Sequence, residues 1–136
     1  MKVLVDTNIL VSAALFPKSV PARAFFKAVS HPGRAVVCDY SMNELRRVFN
    51  EKFPHRIADY ERFLSAMTLS VAIVFTPPDD DRYENEDKIR DIKDRPILRA
   101  AIAADVNMII TGDKDFLESG LTQPIMISAA EFLNML

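Results

Sequence analysis

Apolar and polar positions fall along this chain in blocks. Five short, nearly unbroken apolar runs recur: KVLV at the start, then RAVVC, VAIVF, NMIIT and PIMI. Runs of this length bounded by polar residues and turn formers predict strands buried on both faces. Between them the apolar residues change to helical spacing. NILVSAALF reads as a helix ended by Pro17, and VPARAFFKAVS as a second, with Ala22, Phe25, Phe26 and Val29 recurring and Pro21 in its first turn. HPG breaks the chain before RAVVC. YSMNELRRVFNEKF carries Met42, Leu45, Val48 and Phe49 on one stripe, and HRIADYERFLSAMTLS carries Ile57, Tyr60, Phe63 or Leu64, and Met67. RPILRAAIAAD and SAAEFLNML complete the helices, and GDKDFLESG reads as a turn with a single helical turn. The acidic stretch from Asp79 to Asp94 lacks apolar periodicity and reads as a solvated loop.

Strands alternating with helices predict an α/β fold: a three-layer α/β/α sandwich around a short, mostly parallel sheet of about five strands. No repeat or linker divides the chain, so residues 1–136 are expected to form one domain.

Composition removes several classes of chemistry. Apolar residues make up 49% and charged residues 26%, ordinary values for a globular protein. No apolar stretch approaches the roughly 18–20 residues of a membrane span. Lys2 is followed by only three apolar residues before Asp6, so no signal peptide is expected and a cytoplasmic location is. One cysteine, Cys38, and two histidines, His31 and His55, make a zinc site improbable. Cys38 is expected to be a buried strand residue, and the histidines to lie on the surface. Any acid–base or metal chemistry must therefore rest on carboxylates. The net charge of −2 hides a basic excess from Lys18 to Arg62, which includes Arg46 and Arg47 and could meet phosphates.

In open parallel sheets, ligands bind beyond the carboxyl ends of the strands. Asp6 directly follows the first strand. Glu44 is placed in the first turn of the helix after the second. Asp94 precedes the helix RPILRAAIAAD, and Asp113, with Asp115 two residues on, follows the fourth strand. Each has a purely structural reading. Asp6 and Asp94 suit helix caps, Asp113 suits a tight turn, and Ser41-Met42-Asn43-Glu44 has the pattern of a capping box, as Ser128 to Glu131 also has. Convergence changes the balance. Carboxylates about 4 Å apart repel by roughly 1 kcal/mol in water and about 4 kcal/mol at an effective dielectric of 20. A cluster stays ionised only beside a cation, and an all-oxygen donor set selects Mg²⁺ or Mn²⁺. Such ions activate water and stabilise charge on a phosphoryl group.

With these residues in view, the chain resembles the PIN-domain family of metal-dependent ribonucleases, in particular its small, stand-alone, VapC-like toxins. VLVDTNILVSA is similar to the opening motif, Ser41 to Arg46 to the second, and IKDRPILRAAIAADVNMIITGDKDF to the C-terminal signature. The resemblance implies an acidic quartet of Asp6, Glu44, Asp94 and Asp113 holding Mg²⁺ or Mn²⁺, with Asp115 as a fifth ligand. It implies that Asn8 and Thr111 orient the acids or the substrate phosphate. Asp91, three residues before Asp94, competes for the third position; Asp94 is preferred because it adjoins the helix. The implied partners are an RNA substrate, a small antitoxin protein and a second copy of the chain, with no membrane. Arg46 and Arg47 are candidate phosphate contacts.

The expected function is a divalent-metal-dependent endoribonuclease, the toxin half of a toxin–antitoxin pair. The alternative is an inactive PIN-like module that binds RNA or protein, and the complete acidic set argues against it. A phosphatase of the haloacid-dehalogenase type would need Asp-x-Asp after the first strand, where this chain has Asp6-Thr7-Asn8.

Overall fold

The computed structural model describes residues 1–31, 34–79 and 84–135. Residues 32–33 of the HPG break, residues 80–83 of the acidic run and the final residue of the last helical motif lie outside the described residues. All five expected strands form: β1 (Val3–Val5), β2 (Ala35–Cys38), β3 (Ala72–Val74), β4 (Met108–Ile110) and β5 (Ile125–Ile127). They pair in the order β3-β2-β1-β4-β5, and every pairing is parallel.

Strand alternation sends side chains to two cores. Val3, Val5, Ala35, Val37, Met108 and Ile110 face one layer. Leu4, Val36, Cys38 and Ile109 face the other. The first layer holds α1 (Thr7–Leu15), α2 (Val20–Val29), α3 (Asp39–Lys52), α4 (Ile57–Met67) and α7 (Ala129–Leu133). Phe49 is fully buried there, stacked on Tyr60 with ring centroids 5.2 Å apart. The second layer holds α5 (Arg95–Ala103) and the single-turn α6 (Lys114–Leu117), with Ile97, Leu98 and Phe116 fully buried. The architecture is the three-layer α/β sandwich that the alternation predicts. Among the described residues, no single helix is long and apolar enough to cross a membrane.

The helix starts follow ordinary capping chemistry. Ser19 caps α2 by accepting from the Ala22 amide at 3.2 Å, with Pro21 just inside. Ser128 and Glu131 form a complete capping box on α7. Chain order puts the topological switch between β1 and β4. The connection from β1 leads to β2 on one side, whereas β4 returns on the other. A crevice is expected above their carboxyl ends.

The acidic stretch differs from the expected solvated loop. Short 3₁₀ turns occupy Glu84–Lys88 and Ile92–Asp94, with Ile89 fully buried between them. Arg99 of α5 reaches back to it: its Nε donates to the Pro77 carbonyl at 3.0 Å, and its guanidinium pairs with Glu86. Both side chains of that pair are about nine-tenths buried, at 9% and 11% exposure. One apolar residue and one buried ion pair thus fasten a segment whose composition reads as solvated. Breaking such a pair from one side leaves an uncompensated charge in low dielectric. Arg99→Leu should therefore destabilise the fold by about 3 kcal/mol. Glu86→Leu combined with Arg99→Leu should recover much of that loss, as read from urea unfolding midpoints.

Candidate active site

Asp6 sits at the switch point and caps α1. Its backbone N–H donates to the Ile110 carbonyl of β4 at 3.0 Å. Its Oδ1 accepts from the Thr7 amide at 2.8 Å, and its Oδ2 accepts from the Thr111 hydroxyl at 2.7 Å. The cap and the acid are one and the same group. Only 2% of Asp6 is exposed, and this burial raises its carboxyl to about 6. The Thr111 and Thr7 hydrogen bonds oppose the rise, and the charges of Asp113 and Glu44 add to it.

Thr111 is fully buried and ties two acids together. While its hydroxyl donates to Asp6, its oxygen accepts from the Asp113 amide at 3.0 Å. Asp113 in turn caps α6, accepting from the Asp115 amide at 2.9 Å. Asp94 lies within range of the Asp113 carboxyl. Asp94 is pushed up to about 8, first by burial, then by the neighbouring Asp113 carboxyl and its charge, with Asp6 and Asp91 contributing.

Glu44 does not close a capping box. Helix α3 begins at Asp39, Cys38 occupies the cap position without a side-chain bond, and Glu44 falls in the second turn. Ser41 and Glu44 are instead i, i+3 neighbours on one helix face, both turned toward Thr7. The Thr7 hydroxyl lies 2.8 Å from Ser41 Oγ and 2.8 Å from Glu44 Oε1. An ionised carboxylate only accepts, so Thr7 gives its single proton to Glu44 and accepts that of Ser41. The buried Cys38 thiol, 3.3 Å from Ser41 Oγ, donates at the far end. Burial pushes both the Glu44 carboxyl and the Cys38 thiol up.

Asp94 occupies the cap position of α5 but makes no side-chain capping bond, contrary to the expectation that a cap fixes its direction. The 3₁₀ turn Ile92–Asp94 runs directly into the helix and aims the side chain. Asp91 caps that turn by accepting from the Lys93 amide at 3.0 Å, and Tyr40 of α3 donates its hydroxyl to the Lys93 carbonyl at 2.7 Å. Carboxylate oxygens of Asp91, Asp94 and Asp115 lie within 4.8 Å of one another, a grouping that could hold a metal ion. The donors are all oxygen, which fits a hard divalent cation. Asp91 is exposed and forms the outer rim, whereas Asp94 is the one that feels both Asp6 and Asp113.

The remaining expected residues divide. Arg47 stands 3.8 Å from Glu44, while Arg46 is exposed and its charge is felt by Tyr60 of α4. Asn8 is exposed. His31 and His55 are exposed as expected. Thr7, Ser41 and Tyr40, which hold Glu44 and the Asp94 turn, were not expected from the sequence. The available signal was Ser41 one turn before Glu44, a spacing that reads equally well as a cap.

The PIN-domain profile matches residues 2–115. The chain belongs to the PIN-domain family. Among solved structures, VapBC2 from Rickettsia felis bound to a DNA fragment from its promoter superimposes with a TM-score of 0.67 at 16% identity, covering 94% of this chain and 98% of that one. VapC20 from Mycobacterium tuberculosis, a toxin that cleaves the sarcin–ricin loop, gives 0.59 at 14% identity, covering 88% and 96%. A search of curated proteins finds no match. At these identities the two structures share the PIN fold with this chain.

The raised acids make this PIN domain's stability depend on pH. Their folded-state values exceed the ordinary carboxylate value of 3.8, so the native state binds more protons than the unfolded chain between about pH 4 and 8. Stability contributed by protonated Asp6 and Asp94 should be fully present below that window and lost as pH rises through about 6 and then 8. In EDTA, the urea midpoint should be lower at about pH 8.5 than at about pH 5. Asp94→Asn should flatten most of the difference. A midpoint that rises with pH across this range would contradict the arrangement.

Proposed function

We propose that this PIN domain is a divalent-metal-dependent endoribonuclease. One observation carries the reading: at the carboxyl edge of the sheet, Asp6 feels the charges of Asp113 and Glu44, and Asp94 feels those of Asp113 and Asp6, so acids from four separate segments converge. Mutual repulsion of this kind is tolerated where a cation compensates it. Asp6, Glu44, Asp94 and Asp113 would hold Mg²⁺ or Mn²⁺, with Asp115 at the outer side beside Asp91. A bound ion of this type supplies Lewis acidity and charge compensation for displacement at a phosphodiester.

The chain's own residues do the positioning. Thr7 orients Glu44, Thr111 fixes Asp6 relative to Asp113, and the Tyr40 bond to Lys93 holds the turn that aims Asp94. Arg47, exposed beside Glu44, is available to a substrate phosphate, and so is Asn8 at the start of α1. Arg46 would meet RNA only on the side of α3 nearer Tyr60.

The toxin role is supported by the two superimposed structures, one of a VapBC pair and one of a toxin; a cytoplasmic location is inferred with it. The role implies a small antitoxin partner and leaves room for a homodimer. A binding module without turnover would have no use for several mutually repelling carboxylates brought to one edge.

Asp6→Asn, Asp94→Asn and Asp113→Asn should each abolish RNA cleavage in Mg²⁺ or Mn²⁺, and EDTA should do the same to the unaltered protein. Each variant should keep its circular dichroism spectrum. Cleavage that persists in EDTA, or in Asp6→Asn, would overturn the assignment. Thr7→Val should weaken cleavage less than any of these, because it frees Glu44 without removing it.

A further inference from the structure

We propose that Arg90 is a phosphate-contacting residue on the flank of the acid cluster opposite Arg47; this rests on the nuclease reading above. Arg90 follows Ile89, which is fully buried, and precedes Asp91, which caps the turn leading to Asp94. Its backbone is therefore fixed on both sides. Its side chain is not buried with it: 72% of it is exposed. The guanidinium is held at one point, with Nε at 2.9 Å and a terminal nitrogen at 2.6 Å from the same oxygen, Oδ1 of Asp115. Glu118 Oε2 stands farther off at 3.8 Å.

Neighbouring arginines differ in use. Arg95 donates to the Ile89 carbonyl, and Arg99 serves the buried pair with Glu86. Both are absorbed by the fold. Arg90 gains no burial, and exposed pairs of its kind contribute little to stability. It is instead positioned: Asp115 engages one edge of a planar, permanently charged fork, and among the described residues only the more distant Glu118 also pairs with it.

A polyanion approaching clustered carboxylates needs cations at the margins. Arg47 stands on the α3 side, against Glu44, and Arg90 on the α6 side, against Asp115. An RNA strand lying across the acids would meet one guanidinium before the cluster and one after it. Phosphate oxygens match the fork of Arg90 as well as a carboxylate does.

The test is the salt dependence of RNA binding. A short fluorescein-labelled single-stranded RNA is titrated in Mg²⁺ with Asp6→Asn protein, which should not turn over, and with the same protein carrying Arg90→Ala, Arg90→Lys or Arg62→Ala. Removing one cation from a single-strand phosphate should reduce the slope of log K against log salt by about 0.7. Arg90→Ala should show that reduction. Arg90→Lys should keep the slope, because the charge remains, and Arg62→Ala, on α4, should leave it unchanged. Circular dichroism confirms that each variant is folded. An unaltered slope in Arg90→Ala, or no RNA binding by the parent at low salt, would overturn the proposal. Cleavage by the unaltered protein is read separately. Its failure would remove the nuclease reading, while the titration would still decide whether Arg90 meets phosphate.

Discussion

The burial of one carboxylate, Asp6, constrains the rest of this molecule. Placing an acid at 2% exposure beside the central strands is costly, and the cost is limited by two donors, the Thr7 amide and the Thr111 hydroxyl. Those donors come from opposite sides of the switch point. The first requires α1 to start directly at the end of β1. The second requires β4 to lie alongside β1 in the register that pairs Val5 with Ile110. A slip of one residue in that pairing would turn Thr111 away and leave Asp6 without its second partner. The polar site therefore helps specify the register of the apolar sheet beneath it.

From Asp6 the constraint spreads along two hydroxyl-containing paths. Through Thr111 it reaches Asp113, and through Asp113 it reaches Asp94. Thr7, next in the chain, extends it to Glu44 and Ser41, and Ser41 to Cys38. Threonine suits both positions, since its hydroxyl can donate to a carboxylate while accepting from a neighbour. Neutral groups thus separate and orient charged ones that would otherwise be free to turn apart.

Much of the architecture was legible because its signals are local. Apolar runs such as VLV and MII read as buried strands, and Pro17 and Pro54 mark helix ends. The acids were legible by position, since each follows a strand or adjoins a helix start. Their supports were not, because a hydroxyl bond between residues 7 and 44 leaves no periodicity behind. The Ser41–Glu44 spacing illustrates the limit. The same four-residue pattern forms a true capping box at Ser128–Glu131, yet at Ser41 it marks two side chains sharing a helix face. Which outcome occurs depends on where the helix begins, and α3 begins earlier than the pattern suggests, at Asp39. The acidic stretch misled for a related reason. A single Ile89 and the distant Arg99 decide its placement, and neither outweighs the surrounding charge in a local reading.

The strand order carries a consequence for how the molecule comes into being. β1 is made before the other strands but sits at the centre of the sheet, and its neighbour β4 is not synthesised until residue 108. Folding that depends on such distant pairings is slow to nucleate from the first strand onward. During translation Asp6 can find neither Ile110 nor Thr111, so the emerging chain carries its acids scattered and solvated. The cluster assembles only once β4 has left the ribosome. A domain wired in this way acquires its charged centre as a late act of folding.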